Sequence, residues 1–271
     1  VDLAVYLRRS AEGAFLPWAA QLQAADTFGV TVALVEETAL SLGLLPARYR
    51  RNQKTISTAA QLSLFRSRVA VIGCGGLGGF VIEELARLGV GEIRAVDFDV
   101  FEEHNLNRQI LATFDTLGRA KAQEAAARAA KTNPAVRVIP VSQKFEALNS
   151  REILAGVDLV VDALDSIPVR LELEKACSAL GITLVHGAIC GWFGQVATVY
   201  PGDDTLHKIY GACPSEKGME AELGNPSFTP AVVASLQAAE ACKVILAQGN
   251  TLRHRVLFIN LLAMEMEEVS L

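Results

Sequence analysis

The chain has 271 residues, 51% of them hydrophobic and 20% charged, which suffices for one large core or one domain with a small appendage and excludes a disordered or fibrous protein. A formal net charge of −5 provides no general attraction to nucleic acid or to an anionic membrane, so any polyanion must be gripped locally. Five scattered cysteines (Cys74, Cys177, Cys190, Cys213 and Cys242) form no C-x-x-C pair, which argues against a disulfide framework or a zinc knuckle and fits a reducing cytoplasm.

Arg8 and Arg9 precede no sustained apolar run, so no signal peptide is expected. Residues 3–48 read as helical, with Ala and Leu at short spacings and no catalytic cluster; this makes residues 1–47 a helical N-terminal extension. From Arg68 the texture changes. Val69–Ile72 is a short β-rich run, followed by a glycine cluster from Gly73 to Gly79 and an amphipathic stretch, Phe80–Leu88, closed by Gly89. Strands are expected at 93–96, 136–141, 157–161 and 182–185, and helices at 119–131, stopped by Asn133-Pro134, and at 168–180, with Pro168 in the first turn. This alternation predicts an α/β fold with a Rossmann-like, mostly parallel sheet flanked by helices.

The long stretch without charge, Ala176–Gly202, is interrupted by Ser, Thr, His, Gln and Gly, so it reads as the inside of a sheet and not as a membrane span. In the last third the rhythm breaks: a strand at 196–200, a polar segment at 205–229 too long for an ordinary connection, a helix at 231–247, and two final strands at 255–259 and 263–269, expected to be antiparallel.

Chemistry concentrates around the glycines. In Gly73-x-Gly75-x-x-Gly78 the first glycine permits a tight turn, the second lets a phosphate approach bare amides, and the third lets helix and strand pack closely. Asp97 closes the next strand, 24 residues after Gly73, where an acid would accept hydrogen bonds from ribose hydroxyls. That loop alone suggests an NAD-dependent oxidoreductase. Beyond it, however, lie Asp99, Asn105, Arg108 and Lys121, and such grouped donors and cations suit a triphosphate and a leaving pyrophosphate. Asn105 and Arg108 would face the same way on a helical turn. Taken singly, Arg108 also reads as a surface arginine and Lys121 as an ordinary helix-face lysine. Asp162 and Asp165 stand at the end of the strand at 157–161, where a carboxylate could hold magnesium; capping the helix that starts near Pro168 is the other reading, equally open for Asp162. His186 reads as a hydrogen-bonded core histidine. Trp192 and Phe193 read as groove lining or as core, and Gly187 and Gly191 as room for a glycine tail.

From Arg48 to the C-terminus these motifs resemble the ThiF/MoeB/HesA family, bacterial relatives of ubiquitin-activating enzymes. The resemblance is carried by Arg48-Tyr49-Arg50-Arg51-Asn52, Gly73-x-Gly75-Gly76-x-Gly78, the run from Asp97 to Gln109, Gly118 to Lys121, Asp162-x-x-Asp165, Gly187 to Val196, and Ser235-Leu236-Gln237-Ala238-x-Glu240. It implies that residues 48–271 are an ATP-binding adenylyltransferase domain that uses ATP and magnesium to adenylate the C-terminal carboxylate of a ubiquitin-like sulfur carrier ending in Gly-Gly, releasing pyrophosphate. It further implies Asp97 for the ribose, Asn105, Arg108 and Lys121 for the phosphates, Asp165 for magnesium, and Arg51 as a finger reaching the partner's site in a homodimer. No general base is needed, because the attacking carboxylate is already ionised. Thr205-Leu206-His207-Lys208 stands where relatives carry a zinc-binding C-x-x-C pair, so structural zinc is not expected, and Glu220 stands where some relatives carry a reactive cysteine, leaving Cys213 as the only substitute. The alternatives are the tRNA threonylcarbamoyladenosine dehydratase branch, which also adenylates a carboxylate but suits the acidic net charge less well, and a non-catalytic nucleotide-binding scaffold, which retention of Arg51, Arg108, Lys121 and Asp165 disfavours.

Overall fold

A computed structural model describes residues 2–52, 54–211 and 223–271. The expected parallel core is present. Strands β3 (Arg68–Ile72), β4 (Glu92–Val96), β5 (Arg137–Val141), β6 (Leu159–Asp162) and β7 (Thr183–Cys190) are parallel, and β8 (Phe193–Val199), β9 (Arg255–Asn260) and β10 (Glu265–Ser270) extend the sheet antiparallel in the order β10-β9-β8-β7-β6-β3-β4-β5. Pro140 is tolerated because β5 is an edge strand. Both faces are covered. Along β3, Val69 and Val71 join a core with α5 (Gly76–Leu88), α6 (Lys121–Thr132) and α10 (Phe228–Leu246), while Ala70 and Ile72 join a core with α7 (Ser150–Ile153), α8 (Ile167–Leu180) and α9 (Thr205–Tyr210).

Three differences from the sequence reading have local causes. The strand expected to stop at Val185 continues to Cys190, because β8 folds back on it in a hairpin that pairs Leu184 with Val199 and Cys190 with Phe193. Part of the long polar segment is helical, as α9, and α10 begins at Phe228, with Pro230 in its first turn where a missing N–H costs nothing. Among the described residues α10 is the one helix long and apolar enough to cross a membrane; here Val233, Ala234, Ala238 and Ala241 are buried where it packs on α5 and β7.

The N-terminal segment forms α1 (Leu3–Ser10), α2 (Trp18–Phe28) and α3 (Val32–Ser41), but also a parallel pair of two-residue strands, β1 (Phe15–Leu16) and β2 (Leu45–Pro46), that a purely helical reading missed. Pro17 and Pro46 end any helical run at these points. The segment has its own small core of Leu7, Leu16, Ala24, Val35 and Ala39. It is fastened to the rest through Glu36, whose carboxylate pairs with Arg48 and accepts the Tyr49 hydroxyl at 2.7 Å; Asn133 Nδ2 in turn donates to that hydroxyl at 2.8 Å. The motif Arg48-Tyr49 is therefore a joint. It lies within a 3₁₀ turn, Ala47–Asn52, which α4 (Thr58–Arg66) follows.

Candidate nucleotide-binding site

Strand order reverses direction between β3 and β6, and ligands of open α/β sheets bind at the carboxyl ends of strands there. At this point a cavity of about 320 Å³ opens, walled by the glycine turn after β3, the acids after β4 and the loop after β6. The turn requires its glycines. Gly73 has φ +97°, and a Cβ there would lie 2.6 Å from Ala163 O; on Gly78 it would lie 1.8 Å from Gly73 O. Gly75 and Gly76 line the cavity itself, and the N-terminus of α5 has no side-chain cap, leaving its first amides for an anion.

Asp97 sits on the rim of that turn. Its Oδ2 accepts Cys74 N at 2.7 Å and its Oδ1 accepts Asp99 N at 2.8 Å. Burial pushes its carboxyl above the ordinary value, against those two amides and the nearby Lys121. Lys121 opens α6, is only 7% exposed, and places Nζ 3.2 Å from Asp99 Oδ2. Arg108 also lines the cavity, its Nη1 donating to His104 O at 3.1 Å and to Asn107 Oδ1 at 2.9 Å. Asp165 also lines the cavity, exposed in the loop after β6.

Two residues from the sequence reading are placed elsewhere. The turn carrying Asn105 and Arg108 does form, but Asn105 points inward: its Oδ1 accepts Glu102 N at 3.0 Å in a reciprocal cap, and the residue does not line the cavity. The short 3₁₀ turn needs that acceptor to satisfy its own first amide. Within one chain Arg51 is not brought to the glycine turn; it lines a separate basic hollow with Phe15, Arg50 and Lys54.

Asp162 takes neither of the roles left open for it. It is fully buried, 2.7 Å from His186 Nδ1, and its Oδ1 accepts Leu164 N at 2.9 Å. His186 is the hydrogen-bonded core histidine expected, with Tyr210 Oη 3.0 Å from Nε2, and burial holds its pKa below the usual histidine range. Gly187 does not make room for a tail; a Cβ there would lie 2.3 Å from the Gln237 side chain, so this glycine serves the packing of α10. Trp192 and Phe193 are not core residues: they are 42% and 45% exposed, with the Trp192 ring 4.5 Å from that of Phe228. Burial pushes the thiols of Cys177 and Cys242 up, to about 12 and about 11, and that of Cys74 well above its usual value, so these three are inert near neutral pH. Cys213 and Glu220 lie outside the described residues.

Sequence reasoning missed further wall residues. Arg170, buried on α8, reaches Leu164 O and stands 3.6 Å from Asp162. Phe145 and Lys144, after β5, form another wall, and Asn225, just before α10, completes the side next to Arg108. For Arg170 the proline-led helix beside Asp162 was a usable signal. The others carried none, because their place depends on strand order.

A ThiF family model matches residues 49–271. The SAMP-activating enzyme E1 of Haloferax volcanii is 39% identical over 226 residues, covering 82% of this chain and 84% of that protein. The sulfur carrier protein adenylyltransferase of Thermus thermophilus is 39% identical over 227 residues, covering 79% and 83%. Among solved structures, E. coli MccB superposes with a TM-score of 0.71 at 21% identity, over 82% of this chain and 72% of that one, a likeness of fold alone. E. coli tRNA N6-threonylcarbamoyladenosine dehydratase gives 0.63 at 26% identity, over 74% and 94%. With most of its length matched by the family model and by relatives at this identity, the chain belongs to the ThiF family.

Proposed function

We propose that this protein is an ATP-dependent adenylyltransferase that activates the C-terminal carboxylate of a ubiquitin-like sulfur carrier ending in Gly-Gly. A carboxylate oxygen attacks the α-phosphorus of ATP; the bond from that phosphorus to the bridging oxygen breaks, and the electron pair leaves with pyrophosphate. The product is a mixed acyl-phosphate anhydride. The single observation that carries the reading is the convergence of Arg108, Lys121, the uncapped start of α5, Asp97 and Asp165 on one cavity. An oxidoreductase has no use for two cations at that end of the site, whereas bringing an anion onto a polyanion depends on them.

In this reading Asp97 accepts the ribose hydroxyls on the lone pairs its two amide bonds leave free. The amides of the glycine turn with Arg108 and Lys121 hold the phosphates, and Asp99 orients Lys121. No three His, Cys, Asp or Glu side chains cluster among the described residues, but magnesium bound with a nucleotide needs only one or two carboxylates, and Asp165 fits that requirement. When bound, the ion would offset charge on the phosphates. Arg51 belongs, on this reading, to the partner's site in a homodimer, and the setting is cytoplasmic cofactor biosynthesis.

The test is exchange of labelled pyrophosphate into ATP with candidate partners. Exchange that requires a Gly-Gly sulfur carrier supports the proposal. Exchange triggered only by modified tRNA moves the assignment to the dehydratase branch, and binding of ATP without exchange under any condition leaves a scaffold.

A further inference from the structure

Asp165 is the carboxylate read above as holding magnesium, yet among the described residues its side chain makes no hydrogen bond or ion pair. Its direction into the cavity is therefore set by the backbone beside it.

That backbone is gripped from both sides. Ala163 N donates to Ile72 O at 2.9 Å, which anchors the loop to β3. Asp162 Oδ1 accepts Leu164 N at 2.9 Å, and Arg170 Nη2 donates to Leu164 O, the carbonyl of the peptide bond that joins Leu164 to Asp165. The same two buried side chains also pair with each other, Arg170 Nε lying 3.6 Å from Asp162 Oδ2. A closed ring of charge thus surrounds Leu164, and Asp165 is the next residue.

Each nitrogen of the guanidinium faces a partner, since Nη1 donates to Tyr210 Oη at 3.3 Å. Its own backbone is tied to the far end of the loop, Arg170 N donating to Ser166 O at 3.0 Å. Asp162 already has His186 Nδ1 at 2.7 Å, so pairing with Asp162 alone does not account for a guanidinium here. What arginine adds is a rigid planar fork that fixes several acceptors at once.

We propose that Arg170 is a positioning residue: by holding the Leu164 carbonyl it fixes the peptide that carries Asp165, so that this carboxylate is aimed at magnesium on the bound nucleotide. The guanidinium itself touches neither ion nor phosphate. The inference rests on the adenylylation reading and on Asp165 as the magnesium carboxylate. Removing a partner that orients a metal-holding group commonly costs about 10–100-fold in metal affinity.

The experiment uses α,β-methylene-ATP, which cannot be cleaved at the bond that adenylylation breaks, and compares by calorimetric titration its affinity with magnesium and in EDTA. Arg170→Gln removes the fork. Arg170→Lys keeps a cation beside Asp162 but cannot hold Leu164 O in the same plane. Each should lower the magnesium-dependent affinity about tenfold, leave the affinity in EDTA unchanged, and add no further loss in an Asp165→Asn background. If Arg170→Gln fails to fold, Arg170→Lys, which leaves Asp162 its cation, decides. A full gain from magnesium in a folded Arg170 variant, a further loss on top of Asp165→Asn, or weaker binding in EDTA would each overturn the role of Arg170. A wild-type enzyme that gains nothing from magnesium, or an Asp165→Asn variant that keeps the whole gain, would strike the magnesium reading of Asp165 instead. Failure to bind the nucleotide under either condition would strike the adenylylation reading.

Discussion

Lys121 Nζ lies 3.2 Å from Asp99 Oδ2, so this buried cation of the cavity is held by a carboxylate that lines the same cavity. A triphosphate would compete with Asp99 for that ammonium, and the charge Lys121 delivers is what offsets the leaving pyrophosphate. Lys121→Ala should therefore slow carrier-dependent exchange by about 10²-fold. Asp99→Asn keeps an acceptor at the same place and should cost less than tenfold, the scale of one hydrogen bond. Steady-state exchange rates for both variants check this; an equal loss for both would mean that the charge of Asp99 itself acts.

Gly78 and Gly76 separate architecture from binding. A Cβ on Gly78 would lie 1.8 Å from Gly73 O, so Gly78→Ala must push α5 off the turn, at a cost of about 1–3 kcal/mol or more. A Cβ on Gly76 would meet Pro230 at 3.6 Å, an ordinary contact, while intruding on the cavity. Thermal unfolding should show a clear drop for Gly78→Ala and little change for Gly76→Ala. ATP titration should show weakened binding for both.

This contrast also explains what the sequence made legible. The glycine turn, Asp97, Arg108 and Lys121 were readable because each lies within a few residues of a strand end or helix start that local pattern marks. Asn105 shows the limit of such reading: spacing says which residues share a face, and not which side chain its own turn will claim as a cap. The role of Asp162 is not legible locally, because its partner His186 stands on the next strand and that register follows from β6 pairing with β7. Phe145 and Asn225 come to the cavity only through the order of strands in the sheet, which no local window contains.

The buried Asp162–His186 pair should give the fold a pH dependence. Burial lowers the His186 pKa in the folded state, so below the ordinary value of 6.5 the unfolded chain binds a proton that the folded one does not. Stability from this group is thus complete above 6.5 and is lost as pH falls from there toward the lower folded value. His186→Gln should remove that part of the slope while lowering stability near neutral pH, because Asp162 loses its 2.7 Å partner. Urea unfolding of both proteins across the acidic range measures it; parallel curves would assign the slope to other groups.

Tyr49 makes the strongest test of the joint between the N-terminal helices and the sheet domain. Its hydroxyl gives its proton to Glu36 at 2.7 Å and takes one from Asn133 Nδ2 at 2.8 Å, all three residues being buried. Tyr49→Phe leaves the ring in place but removes a partner from both groups. Asn133 retains its bond to Ala86 O at 2.9 Å and Glu36 its pairing with Arg48, so neither is stranded entirely. The expected cost is about 1–3 kcal/mol, that of leaving buried polar atoms short of a partner. If the N-terminal helices unfold together with the sheet, the urea midpoint falls and the slope is unchanged; a second, earlier transition would show the joint opening first. ATP affinity should be unaffected in either case, since Tyr49 is not part of the cavity wall.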